Sequence, residues 1–157
     1  MKHDLKLPKY LGRRIFATIF DYSIYIAIFV SYVLFLGEPN DEGGKTVTGV
    51  IGFIPFIFWL IYFVIPESFQ GSTLGHYLVD LKVVNLDGTK ILFRQALKRR
   101  ILDLIDILFY GIPAFIAVKN SDRNQRIGDM WAKTLVVHKS DIDYLKKYTT
   151  NSDMNDQ

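Results

Sequence analysis

Three constellations of charged and polar residues in this sequence have the types and spacings for chemistry. Arg14 and Asp21 lie seven residues apart, two turns of a helix, with Thr18 between them and Tyr25 four residues beyond. On a helix the four share one face. A guanidinium, a hydroxyl, a carboxylate and a phenol in line are the parts of a proton or cation relay. They are equally the parts of hydrogen-bonded glue between helices. The second constellation is Gln95, Arg99, Asp103, Asp106 and Tyr110, at spacings of four, four, three and four. That is one polar stripe along a helix. Facing solvent, Arg99 and Asp103 make an ordinary i,i+4 pair. Facing inward, the carboxylates meet Arg14 or Asp21 and hold a proton between them. The third is Asp129, in a polar segment with Arg123 and Arg126. It either caps a short turn or pairs a local base, or it reaches Arg14 and latches the end of the chain to its beginning.

Other chemistries lack their residues. With no cysteine, there is no disulfide framework, thiolate zinc site, iron–sulfur cluster or cysteine nucleophile. His3, His76 and His138 are isolated, and none has metal-ligand spacing. There is no Gly-x-Ser-x-Gly elbow. Gly71, Thr73 and Gly75 read as turn and cap chemistry, since no Gly-Lys-Ser/Thr follows to cradle phosphate. No enzyme activity, cofactor or metal is expected.

The elements that position these groups are apolar helices. Ile15–Leu36 holds one charge, Asp21; about 22 residues span roughly 33 Å, the thickness of a bilayer core. Gly49–Pro66 holds none, and Trp59, Tyr62 and Phe63 crowd one end as interfacial aromatics do. Both are predicted to span a membrane. The first run exceeds a signal-peptide core, and no small-residue cleavage site follows Leu36. An ionised aspartate at the centre of such a helix costs about 2.5–3.5 kcal/mol, and somewhat less at the depth of Asp21. It needs a partner from another segment, because Arg14 is too far along the same helix. The third run, Ile101–Val118, is broken at Gly111–Pro113. Begun near Phe93, it is an amphipathic helix whose other face carries Phe93, Leu97, Ile101, Leu104, Ile105 and Leu108. It lies at the interface, re-enters, or spans.

Charge placement sets the orientation. Residues 1–14 carry five bases against Asp4, loop 37–49 carries Lys45 against three acids, and residues 67–100 carry six bases against three acids. The positive-inside rule puts the N-terminus in the cytoplasm and loop 37–49 outside. The segments LVDLKVVN (78–85) and AKTLVVH (132–138) read as short strands. Strands pair only on one side of a membrane, so their pairing favours a cytoplasmic C-terminus. Arg94, Lys98, Arg99 and Arg100 flank the third run and are expected to meet anionic lipid headgroups rather than nucleic acid. The residues after Lys139 read as a polar, frayed tail.

These pieces, in this order, resemble the RDD family of small bacterial membrane proteins, named for one arginine and two aspartates. The resemblance covers roughly residues 9–138. In GRRIFATIFDYSI, Arg14 and Asp21 match the first two letters. QGSTLGHYLVDLKVVNLDGTK matches the glycine-and-threonine turn, strand and Asp-Gly, with His76 standing where the family often has Lys or Arg. FRQALKRRILDLID matches the basic amphipathic helix, and NQRIGDMWAKTLVV the closing motif, in which Asp129 fits the third letter. The resemblance implies an integral, multi-pass protein of the bacterial inner membrane, a family for which transport has been suggested, and no enzyme activity.

The expected architecture is therefore an all-α membrane protein: two transmembrane helices, a third amphipathic region and a small cytoplasmic β-pairing. Residues 1–138 form the membrane domain and 139–157 a disordered tail. Two functions stay open. One is cation or proton transport, with Asp21 as the titrating group and Arg14, Asp103, Asp106 and Asp129 in support. Two or three segments enclose no pathway alone, so this requires a homo-oligomer or a larger membrane partner. The other is a non-catalytic membrane adaptor that binds a protein partner through its cytoplasmic segments.

Overall fold

The computed structural model describes residues 8–109, 112–121 and 123–155. Lys2, His3, Lys6, Tyr110 and the side chains of Leu104, Ile105 and Leu108 lie outside the described part. Helices dominate. Two of them, α1 (Leu11–Leu36) and α2 (Gly49–Gln70), are long and apolar enough to cross a membrane. Two two-residue strands, β1 (Glu38–Pro39) and β2 (Lys45–Thr46), pair in the turn between them.

Helix α1 inverts the pattern of a soluble helix. Its buried residues are Arg14, Ala17 and Asp21, while Ile15, Phe16, Ile19, Ile26, Leu34 and Phe35 are exposed. Helix α2 does not stop at Pro66. A proline has no N–H to donate, and its ring collides with the carbonyl four residues back. The helix relieves this by widening into a π-turn at Leu60–Val64 and runs on to Gln70. Trp59, Phe63 and Glu67 then follow one another at intervals of four on its buried side. Gly71 ends the helix in the left-handed conformation (φ 72°). Its carbonyl accepts from Val83 N–H at 2.6 Å, so the chain is tied at once to the strand that follows.

Next come the short helix α3 (Leu74–Leu78) and strand β3 (Leu81–Asn85). The third apolar region is two helices, α4 (Phe93–Leu108) and α5 (Ile112–Asn120). The short helix α6 (Ile127–Ala132) leads into β4 (Thr134–His138), which pairs antiparallel with β3 in the register Val83↔Val136. The two faces of this strand pair have separate partners. Leu81, Val83 and Val136 pack with Trp59, Phe63 and Val64 of α2 and with Ile91 and Ala96.

Val84, Leu135 and Val137 form the second face, and this corrects the expectation of a disordered tail. The chain after Asp141 is a helix, α7 (Ile142–Asn155). Its Leu145 is completely buried on Val84, Leu135 and Val137, with Ile142 beside it. A strand pair apolar on both faces needs cover on both, and two apolar residues in an otherwise polar segment supply it. Leu145→Ala is expected to destabilise the protein by about 2 kcal/mol, the low end for a buried leucine because a peripheral helix settles into the gap. Thermal melting in detergent checks this.

Candidate functional site

The charged residues of the sequence converge where the end of α2 meets α4, α4 meets α6, and the first turn of α1 reaches in through Arg14. Glu67 is fully buried and lies between two guanidiniums. Arg99 Nε donates to its Oε1 at 2.7 Å, and Arg100 Nη2 donates to its Oε2. Arg99 also donates through Nη1 to Asp129 Oδ1 and, at 3.1 Å, to Thr134 Oγ1. Arg100 Nη1 donates to Asp103 Oδ2 at 2.7 Å. Arg126 Nη1 stands 3.1 Å from Asp103 Oδ1 and 4.0 Å from Asp106 Oδ2. Four guanidiniums, counting Arg14, thus meet four carboxylates in one buried network. Buried charges are tolerated in this way, paired and hydrogen-bonded.

Asp129 occupies the centre. Its Oδ2 accepts from the Arg126 backbone N–H at 3.0 Å, capping the start of α6. Arg14 Nη1 lies 3.7 Å from the same oxygen. The local cap and the latch to the first helix are both present in one side chain. Burial alone would raise the Asp129 carboxyl; the guanidiniums of Arg99, Arg126 and Arg14 outweigh it and hold the pKa near about 2. Arg100 and Arg126 are held protonated more firmly than free arginine, burial being outweighed by Glu67 and Asp103 for the first and by Asp103 and Asp129 for the second.

Asp21 belongs to a separate arrangement one layer away. Its Oδ1 accepts from Gly75 N–H at 2.7 Å and from Tyr62 Oη at 3.3 Å, and its Oδ2 accepts from Thr73 Oγ1 at 2.6 Å. Since the Thr73 proton goes to Asp21, His76 Nδ1, 2.8 Å from Thr73 Oγ1, is the nitrogen that carries hydrogen. His76 is neutral: burial, then the nearby Arg100, Arg99, Arg126 and Arg14, push its pKa well below the usual value. Gly75 is required here. A Cβ would collide with the Ala17 carbonyl oxygen and stand 2.9 Å from Asp21 Cγ. Only a bare Cα lets α3 approach α1 closely enough to aim its N–H at the carboxylate.

The polar stripe of α4 faces inward, correcting the solvated reading. Arg99 and Asp103 do not pair with each other; Asp103 takes Arg100 and Arg126 instead. Arg99 and Arg100 are 0% and 3% exposed and are engaged with carboxylates, which withdraws them from lipid headgroups. Arg94 and Lys98 remain exposed. The stripe on α1 is also divided. Thr18 donates to the Arg14 carbonyl of its own helix at 2.9 Å, and Tyr25 donates to the Pro55 carbonyl of α2 at 3.3 Å. Neither enters the charge network. Glu67, Thr73 and His76 join the site without having been singled out in the sequence for it; Arg100, expected at lipid headgroups, and Arg126, read as a local base near Asp129, also enter it through Asp103. For Glu67 the one signal was its place, an acid directly after 21 uncharged residues, 46–66.

Asp106 accepts from the Ala114 backbone N–H in the first turn of α5, and burial raises its pKa to about 6 against the pull of Arg126. A raised carboxyl stabilises the fold fully below about pH 4, and that contribution fades as pH rises through about 6. Asp106→Asn keeps an oxygen for the cap and removes the charge. It is expected to melt above the parent at pH 7.5 and level with it at pH 4.5. For Asp129 the sign is opposite: its contribution is present above about pH 4 and is lost as pH falls through about 2.

Among the described residues no group of three or more His, Asp or Glu is arranged to hold a metal ion. Comparison with curated proteins and with solved structures returns no match. The profile of the RDD family matches residues 9–133, a stretch that starts just before α1, ends after Asp129 and contains every charged residue of both arrangements just described. The chain belongs to the RDD family, and its two long apolar helices with the buried charges at one end are that family's membrane-protein domain.

Proposed function

We propose that this protein spans the bacterial inner membrane twice, with both ends in the cytoplasm, and serves there as a non-catalytic adaptor that holds a small folded unit against the bilayer. One observation carries the reading: the buried carboxylates are saturated by partners within the chain. Asp21 has three donors, Glu67 two guanidiniums and Asp129 a backbone N–H with three guanidiniums within 4 Å. Groups so engaged fix a fold; they do not load and release an ion.

The topology has its own support. Basic residues dominate both sides of the pair of helices that the rule predicts to be inside. Strands β3 and β4 pair although α4 and α5 intervene, so that region leaves and returns on the same side. Leu92, Phe93, Ile101, Ile127, Met130 and Trp131 are exposed beside Arg94 and Lys98, with Lys98 Nζ over the Trp131 ring at 5.3 Å. Apolar groups rimmed by free bases suit a surface lying on an anionic leaflet. A reporter fused to the C-terminus and active only in the cytoplasm is expected to be active; one active only outside would overturn the topology.

Asp106 favours a second reading, cation–proton exchange by a homo-oligomer, because its carboxyl titrates near about pH 6 and it is the least tightly paired acid of the network. Proteoliposomes separate the two. The adaptor reading expects no flux under a pH or cation gradient. Flux that Asp106→Asn abolishes, together with an oligomer in nanodiscs, would establish exchange.

A further inference from the structure

A cavity of about 630 Å³ lies between α1 and α5, within the range of about 300–1,000 Å³ usual for ligand sites. Its walls are apolar, among them Ile15, Ile19, Ile26 and Phe115, and these are also exposed at the surface. The cavity therefore opens sideways, toward the surroundings of α1. Its polar lining is Arg14, Thr18, Tyr22, His76, Asp106 and Arg126.

Two of those groups are unfinished. Arg14 is 7% exposed, and its Nε has no hydrogen-bond partner among the described residues. Its other nitrogens donate to the Asn124 and Val136 carbonyls at 2.9 and 3.3 Å, and its nearest carboxylate oxygen is 3.7 Å away. Arg99, Arg100 and Arg126 each have a carboxylate oxygen within 3.1 Å. Among the described residues, Arg14 is the guanidinium of the network left without a close anion. The Tyr22 hydroxyl is likewise buried without a partner among the described residues. Both idle groups donate hydrogen, and buried donors call for acceptors.

We propose that this cavity binds one anionic phospholipid of the inner leaflet, with its phosphate at Arg14 and an acyl chain running along Ile15, Ile19 and Phe115 toward Tyr22. This rests on the membrane-spanning reading above. The dimensions agree. Arg14 to Ile26 is about 18 Å along the helix, close to half of a bilayer core of about 30 Å. Tyr22 lies about 12 Å below Arg14 along the axis, deeper than the ester oxygens of a lipid whose phosphate is at Arg14, so the cavity offers a head site at Arg14 and apolar walls for a chain below it. An anion with an attached chain fits both; inorganic phosphate has no chain for the apolar walls.

The test uses the full chain, delipidated in mild detergent and placed in nanodiscs of phosphatidylcholine alone or with phosphatidylglycerol. Phosphatidylglycerol near 100 times its Kd is expected to raise Tm by roughly 5–10 °C. Tyr22→Phe removes only an unpartnered hydroxyl deeper than the headgroup, so it is expected to melt no lower than the parent in phosphatidylcholine and to keep the rise. Ala114→Trp fills the cavity and is expected to lose it all. Equal melting in both lipids overturns the site. So does a rise that Ala114→Trp leaves intact, which is surface charge alone, or a rise reproduced by oleate or by inorganic phosphate. A protein that stays dispersed without detergent and enters no nanodisc overturns the spanning reading as well; one that is embedded but shows no lipid preference overturns only the site.

Discussion

Glu67→Ala is expected to lower Tm by roughly 6–20 °C, the equivalent of about 3–5 kcal/mol for removing one side of a buried ion pair. The reason is geometric. One carboxylate serves two fully buried guanidiniums, and each of its oxygens is assigned to a different arginine. Without it, Arg99 keeps Asp129 and Arg100 keeps Asp103, but two positive charges then face each other across an empty space sealed by Phe63 and Val64. Arg100 also lies over the Phe63 ring at 5.1 Å, so its movement disturbs the apolar core. Glu67→Gln, which keeps the shape and loses the charge, is expected to fall between alanine and the parent. Asp80→Asn is the control. Its pair with Lys139 is shorter than many in the network, at 2.8 Å, yet solvent reaches both partners, and Tm is expected to stay put. A Glu67→Ala protein melting within about 2 °C of the parent would show that the two arginines had found water.

Gly75→Ala is expected to do comparable damage with a single methyl group. The added carbon meets a backbone oxygen, that of Ala17, which cannot rotate away. Overpacking of this kind costs about 1–3 kcal/mol. Moving α3 outward also withdraws the Gly75 N–H and the Thr73 hydroxyl from Asp21, and charge-assisted hydrogen bonds are worth about 1.5–3 kcal/mol each. Together, with both bonds lost outright, a loss of roughly 4–9 kcal/mol is expected. Asp21→Leu distinguishes the causes, since it removes the carboxylate and leaves the backbones in contact. If Gly75→Ala is harmful only while Asp21 is present, the damage is electrostatic. If it is harmful in both backgrounds, it is steric. Melting the two single variants and the double variant in one detergent decides between them.

What could be read from the sequence was what depends on local spacing. The two apolar runs, the amphipathic α4, and strands β3 and β4 each carry their period within a few residues. The grouping of Arg14 with Asp129 needed the family pattern, because 115 positions separate them. The partners of Asp21 were out of reach. Thr73 and Gly75 signalled a turn, and nothing in their types said which carboxylate the turn would face. Glu67 was hidden by Pro66, whose usual meaning is the end of a helix; the π-turn carried the helix past it. The direction of the α4 stripe was ambiguous for a general reason. In lipid, the polar face of an amphipathic helix turns toward protein when protein supplies the counter-charges, and the counter-charge here came from the unrecognised Glu67. Leu145 was missed because one apolar residue in a polar stretch has no period.

Every link in the buried network runs from an early residue to a later one. Asp21 waits for Thr73 and Gly75, Glu67 for Arg99 and Arg100, and Arg14 for Asn124, Asp129 and Val136. A ribosome therefore delivers each half-filled position before its complement exists. The first two helices emerge early in synthesis, and their acids are then met in sequence as the remaining chain follows. Closure of β4 onto β3 waits for residues 134–138, so a nascent chain stalled before Asp129 has its first helix made and Arg14 still without Asp129 and Val136.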